Sequence, residues 1–306
     1  MRLYYTDHFE LPLPPSHRFP MDKYRRLRRH VASSDQHRND VLLVPPAADD
    51  RQLTLCHDAG YLNRVKTGTL SAAEIRRIGF PWSPQMVQRS RRSTGATIAA
   101  SRGALIDGVA ANLAGGTHHA QSDAGEGYCI FNDAAVAIRT LQQESLIRRA
   151  CVIDLDVHQG NGTAAILSGD ATAFTLSMHG AKNFPLRKFP SDLDVPLDDG
   201  TADVTYLAKL TSALETLGQH HTACGGFDLA IYLAGADPYA GDRLGRMSLS
   251  KSGLQQRDRQ VLRWCADRSI PVAIAMSGGY APDVNDIVEI HAATLAIASQ
   301  MMPLWG

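Results

Sequence analysis

Sulfur chemistry is sparse in this chain. Its five cysteines (Cys56, Cys129, Cys151, Cys224, Cys265) are scattered, and no Cys-x-x-Cys pair occurs. An odd, dispersed set points to reduced thiols in a cytoplasmic protein rather than to a disulfide framework. No run of about 18 apolar residues occurs, so no membrane span is expected. The start, Met1-Arg2-Leu3-Tyr4-Tyr5-Thr6-Asp7, has no long apolar stretch of the signal-peptide kind. An excess of charge of one sign is missing too: the formal net charge is zero, which argues against a nucleic-acid binder relying on global charge. Two local basic clusters, Lys23–His30 and Arg89–Arg92, read as solvated helix faces. Low-complexity segments, internal repeats and linkers are also absent.

What is present is length and a repeated pattern. The 306 residues can bury a large core. Short apolar runs predict strands at Arg2–Thr6, Val41–Val44, Gly108–Leu113, Ala150–Leu155, Ala173–Ser177, Leu229–Leu233 and Pro271–Met276. They are near-continuous rather than alternating, as parallel strands covered on both faces require. Helical spacing lies between them at Asn132–Gln143, Gly162–Leu167, Val204–Leu217, Leu249–Arg268 and Asp283–Met301, with Asn132 or Asp133 as an N-cap. Leu11–Pro20 reads as an ordered proline-rich loop. Strand, loop and helix in repetition predict an α/β chain: one domain over residues 1–306, three layers α/β/α around a mostly parallel sheet.

The segment Val152-Ile153-Asp154-Leu155-Asp156-Val157-His158 places Asp156 and His158 two residues apart where an apolar run stops. In an extended backbone these side chains point to the same side. A carboxylate oxygen and an imidazole nitrogen then face one point, a donor pair that suits a divalent metal of the zinc type. Asp154 adds a polar group one step earlier, and a buried strand rarely carries two carboxylates without a cation. Ligands of open parallel sheets sit at the carboxyl ends of the strands. His118-His119, Asp156/His158, Ser177, Asp237 and Gly278-Gly279-Tyr280 all follow predicted strands, which points to a single site.

Asp156, His158 and Asp237 would form a three-donor metal site with a fourth position for water, as metal-assisted hydrolysis needs. Asp237 alternatively caps the turn before Pro238. His118 and His119 suit a general base and its electrostatic partner, since imidazole titrates near neutrality; they could equally be ligands or turn histidines. Glycines before Tyr280 permit close backbone approach and would let its phenol donate to an oxyanion, unless it is merely a tyrosine at a loop edge. Gly160-Asn161-Gly162 fits a dinucleotide fingerprint poorly, because Asp154 and Asp156 beside that turn disfavour a pyrophosphate.

Several pieces match one family in its order along the chain: His17-Arg18-Phe19-Pro20-Met21, Gly115-Gly116-Thr117-His118-His119-Ala120, Gly125 to Asp133 (GEGYCIFND), Asp154 to Gly162 (DLDVHQGNG), Ala234 to Asp242 (AGADPYAGD) and Ser277-Gly278-Gly279-Tyr280. Together they resemble the histone deacetylase family of the arginase–deacetylase superfamily. The length and the His-Arg-Phe-Pro-Met segment are most similar to compact bacterial members near the class IV group. The resemblance implies that Asp156, His158 and Asp237 bind Zn²⁺ (or Fe²⁺), and that His119 is the general base for the attacking water. It implies that His118 gives electrostatic support and helps protonate the leaving amine, while Tyr280 hydrogen-bonds the substrate carbonyl and then the oxyanion. Asp154 would orient His118 and Asn161 would orient His119. The Gly127 carbonyl would hold the amide N–H, Tyr128 and Phe184 would wall a narrow tunnel, and Arg18 would lie near an inner channel through which acetate leaves. A structural K⁺ would be held by Asp154, Ser177 and the backbone carbonyls of Asp156, His158 and Met178.

Two departures from the common family pattern stand out. Gln159 replaces a second histidine, and Asn161 replaces the aspartate of class I members, which would leave His119 less basic. The substrate expected is an N-acyl amine: acyl-lysine in a peptide or protein, or a small N-acetyl amine such as an acetylated polyamine. A binuclear Mn²⁺ ureohydrolase on the same fold is a rival, disfavoured because Gly160 stands where that class has an aspartate two residues after the histidine. A non-catalytic acyl-lysine binding module is another, disfavoured by the presence of His119 and Tyr280.

Overall fold

The computed structural model describes residues 1–9, 11–14 and 16–305. In chain order its elements are β1 (Arg2–Tyr4), α1 (Lys23–Ser33), β2 (Val41–Leu43), α2 (Asp50–Leu53), α3 (Ala59–Thr67), α4 (Ala72–Ile78), α5 (Pro84–Asp107), β3 (Val109–Asn112), α6 (Asp133–Gln143), β4 (Ala150–Asp154), α7 (Asn161–Leu167), β5 (Ala173–Gly180), β6 (Leu193–Leu197), α8 (Asp203–Ala223), β7 (Leu229–Leu233), α9 (Lys251–Ala266), β8 (Val272–Ala275) and α10 (Val284–Met301). The strands form one sheet in the order β2-β1-β3-β8-β7-β4-β5-β6. Every pairing is parallel.

The apolar runs make this sheet because both of its faces are covered. Along β4, Cys151 and Ile153 enter one core with Leu27 of α1, Tyr206 of α8, Val261 of α9 and Leu295 of α10. Ala150 and Val152, on the opposite face, enter a second core with Leu62 of α3, Ile98 of α5 and Ile138 of α6. Each large apolar side chain so buried contributes roughly 1.5–3 kcal/mol. Helix α10 is long and apolar enough by composition to cross a membrane, but most of it is packed inside the molecule, against α9 and α1.

Side-chain caps fix several helix starts. Asn132 Oδ1 accepts from Ala135 N at 3.1 Å, and Ser250 Oγ accepts from Gly253 N at 2.9 Å. Asn132 is therefore the cap of α6, which leaves the Asp133 carboxylate free for another task.

Three features differ from the sequence expectation. An eighth strand, β6, pairs with the end of β5; it holds Asp194 and Pro196, and proline is tolerated there because the strand is an edge. The longest helix, α5, has no clear apolar stripe because its buried side is built from small and polar residues such as Ser93, Ala96, Thr97 and Ala100. Gly95 explains part of this: a Cβ there would lie 2.0 Å from the Pro46 carbonyl oxygen. The basic clusters are not wholly solvated faces, since Lys23 and Arg89 are buried.

Candidate active site at the carboxyl ends of the strands

The parallel sheet brings the ends of β3, β4, β5, β7 and β8 to one edge, and the polar residues following them meet there. Asp156, His158 and Asp237 are buried, and their donor atoms lie within 4.8 Å of one another. His158 Nδ1 sits 3.0 Å from Asp156 Oδ1 and 3.2 Å from Asp237 Oδ2. A single ring N–H cannot serve both carboxylates, and Asp237 Oδ2 is left without a hydrogen bond. A buried carboxylate oxygen without a partner is costly. A divalent cation between the three donors would remove that cost, so the residues present fit a metal ion.

Backbone and hydroxyl donors fix the remaining oxygens. Asp156 Oδ2 accepts from Ser277 Oγ at 2.7 Å and from Gly278 N at 2.8 Å. Asp237 Oδ1 accepts from Val157 N at 2.9 Å. Gly278 is required by close approach: a Cβ there would lie 1.9 Å from Asp237 Oδ2. Burial, followed by the Asp156 charge, pushes the Asp237 carboxyl up to about 7. Burial opposes charge on His158 as well, but the adjacent carboxylates of Asp156 and Asp237 outweigh it and raise the imidazole to about 10. Both shifts have one origin, two carboxylates seeking positive charge in a dry pocket.

The loop that carries the two histidines is clamped from below. Asp133 accepts from Gly116 N at 2.9 Å and from Thr117 N at 2.7 Å. Asn132 Nδ2 donates to Ala120 O at 3.1 Å. His118 Nδ1 then lies 2.6 Å from Asp154 Oδ2, and His119 Nδ1 lies 2.8 Å from Asn161 Oδ1. The two rings are 4.2 Å apart and their environments diverge. Burial opposes protonation of His118, but the Asp154 and Asp156 charges override it and raise the ring to about 9. Burial, then repulsion from His118 and His158, holds His119 well below its ordinary value. An imidazolium beside a neutral imidazole is an acid and a base side by side.

Tyr280 follows the Gly278-Gly279 turn and lines the same cavity. Its backbone N–H donates to Asp242 Oδ2 at 2.6 Å. Burial, then the Asp156 and Asp237 charges, raises its phenol well above the ordinary value, so it stays a neutral donor. Tyr128 and Ser277 hold positive φ of 67° and 56°. Left-handed backbone costs a non-glycine residue roughly 1–2 kcal/mol, and here that strain lies at the cavity wall. Phe184 meets the His119 ring edge-on at 4.9 Å. The backbone of Gly127 passes beside the same ring, where a Cβ would lie 2.8 Å from His119 Cδ2.

Arg18 is placed differently from the expectation. It is exposed and does not line the inner cavity, because the proline-rich loop turns Phe19 inward instead. The buried cations in that region are Arg89, which lines the cavity, and Lys23. Arg89 lies 5.0 Å from the Tyr24 ring centre, and Lys23 Nζ bonds to the carbonyls of Ser277 and Gly279 at 3.3 Å each. Neither carries a signal in the sequence, since both stand in arginine-rich stretches of the kind that usually face solvent. Glu126 was also missed; its Oε2 accepts from Asn161 Nδ2 at 3.2 Å. Ser177 pairs with Asp154 across β4 and β5, and Met178 follows it. Ser177 Oγ lies 3.0 Å from His179 Nδ1. Both Asp154 oxygens hold hydrogen bonds, so the side chains there leave no orphaned oxygen that demands a second cation.

Comparison with known proteins agrees with this geometry. Residues 17–295 match the Histone deacetylase domain family. The chain is 43% identical over 289 residues to an uncharacterized protein of Picosynechococcus sp., covering 94% of this chain and 95% of that one. It is 32% identical over 275 residues to Histone deacetylase 2 of Arabidopsis thaliana, covering 86% and 70%. The crystal structure of the HDA15 HD domain shares the fold, with a TM-score of 0.79 at 18% identity over 100% of this chain and 94% of that one. A hydrolase domain of the deacetylase type thus spans most of the sequence, and the chain belongs to the histone deacetylase family.

Proposed function

We propose that this protein is a metal-dependent deacylase that removes an acyl group, chiefly acetyl, from an N-acylated amine such as acyl-lysine. The observation that carries this reading is the divergence of the two histidines beside a trio that fits a metal ion. Zn²⁺ is the ion favoured by a buried aspartate–histidine–aspartate set, with Fe²⁺ the alternative. A divalent cation bound there supplies Lewis-acid polarisation and lowers the pKa of water to about 7.

The residues of the chain do the rest. Asn161 Oδ1 accepts from His119 Nδ1–H, which leaves the His119 Nε2 lone pair to take a proton from the attacking water. Charged His118, held by Asp154, stabilises the negative charge that develops and supplies the proton the leaving amine needs. The Tyr280 phenol donates to the substrate carbonyl oxygen, where charge grows in the transition state. The Gly127 carbonyl accepts the scissile amide N–H. Tyr128 and Phe184 hold the acyl-bearing chain between two aromatic walls and exclude water. A ureohydrolase is less favoured, because among the described residues no second cluster suited to a metal adjoins the first.

The test is a substrate panel with purified, metal-loaded protein: acetyl-lysine peptides, acetylated polyamines, long-chain acyl-lysine and guanidino substrates. Release of acetate or another acid from at least one N-acyl amine is expected. Urea release alone, or acyl-lysine binding without hydrolysis, would contradict the reading.

A further inference from the structure

From the metal-binding trio a cavity of about 600 Å³ opens outward past Tyr128, Phe184 and Tyr280. Its outer wall is strongly cationic. Arg76 and Arg77 come from the end of α4, Lys182 from the loop after β5, and Arg246 from the loop between β7 and α9. The α4 end is fixed there by the backbone, since Gly127 N donates to Arg77 O at 3.1 Å and Tyr128 N donates to Ile78 O at 2.7 Å. Among the described residues two carboxylates pair with these cations: Glu126 lies 3.4 Å from Arg77, and Asp199 lies 3.2 Å from Arg246 and 3.8 Å from Lys182. Four positive side chains against two negative ones leave a local charge of +2. The whole chain sums to zero, so this excess is a feature of the mouth. Surface ion pairs of this kind are weak and leave the cations open to a ligand.

We infer that the substrate carries negative charge just outside the channel: an acyl-lysine flanked by acidic residues, in preference to a basic tail or a polyamine. The inference rests on the deacylase reading and narrows its substrate class. A cationic amine approaching this mouth is repelled by like charge over a Debye length of about 10 Å at 0.1 M salt, whereas an anionic one is drawn in. Leu186, 94% exposed on the same wall, adds an apolar contact for the chain between the acidic groups.

The test uses fluorescent acetyl-lysine heptapeptides of equal length flanked by Glu, Gln or Lys, with acetylspermidine and an N-blocked acetyl-lysine bearing a free carboxylate as small-molecule arms. Binding is read by anisotropy and competition. In low salt the Glu-flanked peptide should bind about tenfold or more tightly than the Lys-flanked one, with a gap that closes toward 0.5 M salt. The carboxylate arm distinguishes a small anionic substrate from an acidic peptide: if it competes as strongly as the Glu-flanked peptide, the anion need not come from a polypeptide. Arg76→Glu with Lys182→Glu should reverse the peptide order, whereas Lys209→Glu, an exposed change on α8, should not. Equal binding of the three peptides, or tighter binding of the Lys-flanked peptide or acetylspermidine, would overturn the inference. Hydrolysis is scored separately: the binding order without turnover would overturn the deacylase reading alone.

Discussion

His118 Nδ1 and Asp154 Oδ2 lie 2.6 Å apart, with both side chains buried. A few ångströms away His119 Nδ1 has the neutral amide of Asn161 as its hydrogen-bond partner. Both imidazoles are buried, but the carboxylates of Asp154 and Asp156 hold the proton on His118, whereas burial and repulsion from His118 and His158 keep His119 neutral beside its amide partner.

Asp154→Asn removes the charge that holds the proton on His118. The pKa of His118 then falls, and activity that needs its charged form is lost at lower pH. The alkaline limb of the pH–kcat/KM profile is expected to move down by about 1–2 units. An unmoved limb would show that His118 charge is not used.

Asn161→Asp acts in the opposite sense on the base. A carboxylate at this position stabilises protonated His119, whose pKa is now held well below its ordinary value. Because the base works only when neutral, the acid limb is expected to move up by about one unit. A pH–rate profile that overlays the wild type would contradict the assignment.

Tyr280→Phe keeps the ring and removes the donor. Turnover is expected to fall about 100- to 1000-fold with metal content unchanged. Near-normal turnover would place oxyanion stabilisation elsewhere.

Gly278→Ala tests the packing behind the metal-binding residues. The added methyl would meet Asp237 Oδ2 at 1.9 Å, so either the turn or the carboxylate must move. Metal content below that of the wild type is expected, together with a lowered Tm. A fully loaded variant with wild-type Tm would show that the turn yields freely.

How much of this was legible in the sequence depends on the physical signal. Continuous apolar runs ending in polar residues marked the parallel sheet and its active edge, although Asp156 and His158 lie in the bend after β4 rather than in the extended strand that their spacing suggested. The aspartate–histidine–aspartate set and the two histidines could be read as one site because they all follow strand ends. Arg18 could not be placed, since the direction of a side chain in a proline-rich loop depends on which neighbour is buried, here Phe19. Lys23 and Arg89 stand in arginine-rich stretches where composition suggests solvent, and only tertiary packing selects the inward member. Asp133 passed as a cap beside Asn132, whereas it clamps the histidine loop. Helix α5 hid because small residues at a close helix–sheet contact carry little apolar periodicity.

Metal analysis of the purified protein beside Asp237→Ala is the most direct measurement. One divalent ion per chain, deacylation that depends on it and loss of both in Asp237→Ala are expected. Wild-type protein that binds no ion after exposure to Zn²⁺ or Fe²⁺, or an Asp237→Ala variant that keeps metal and turnover, would contradict the proposed site.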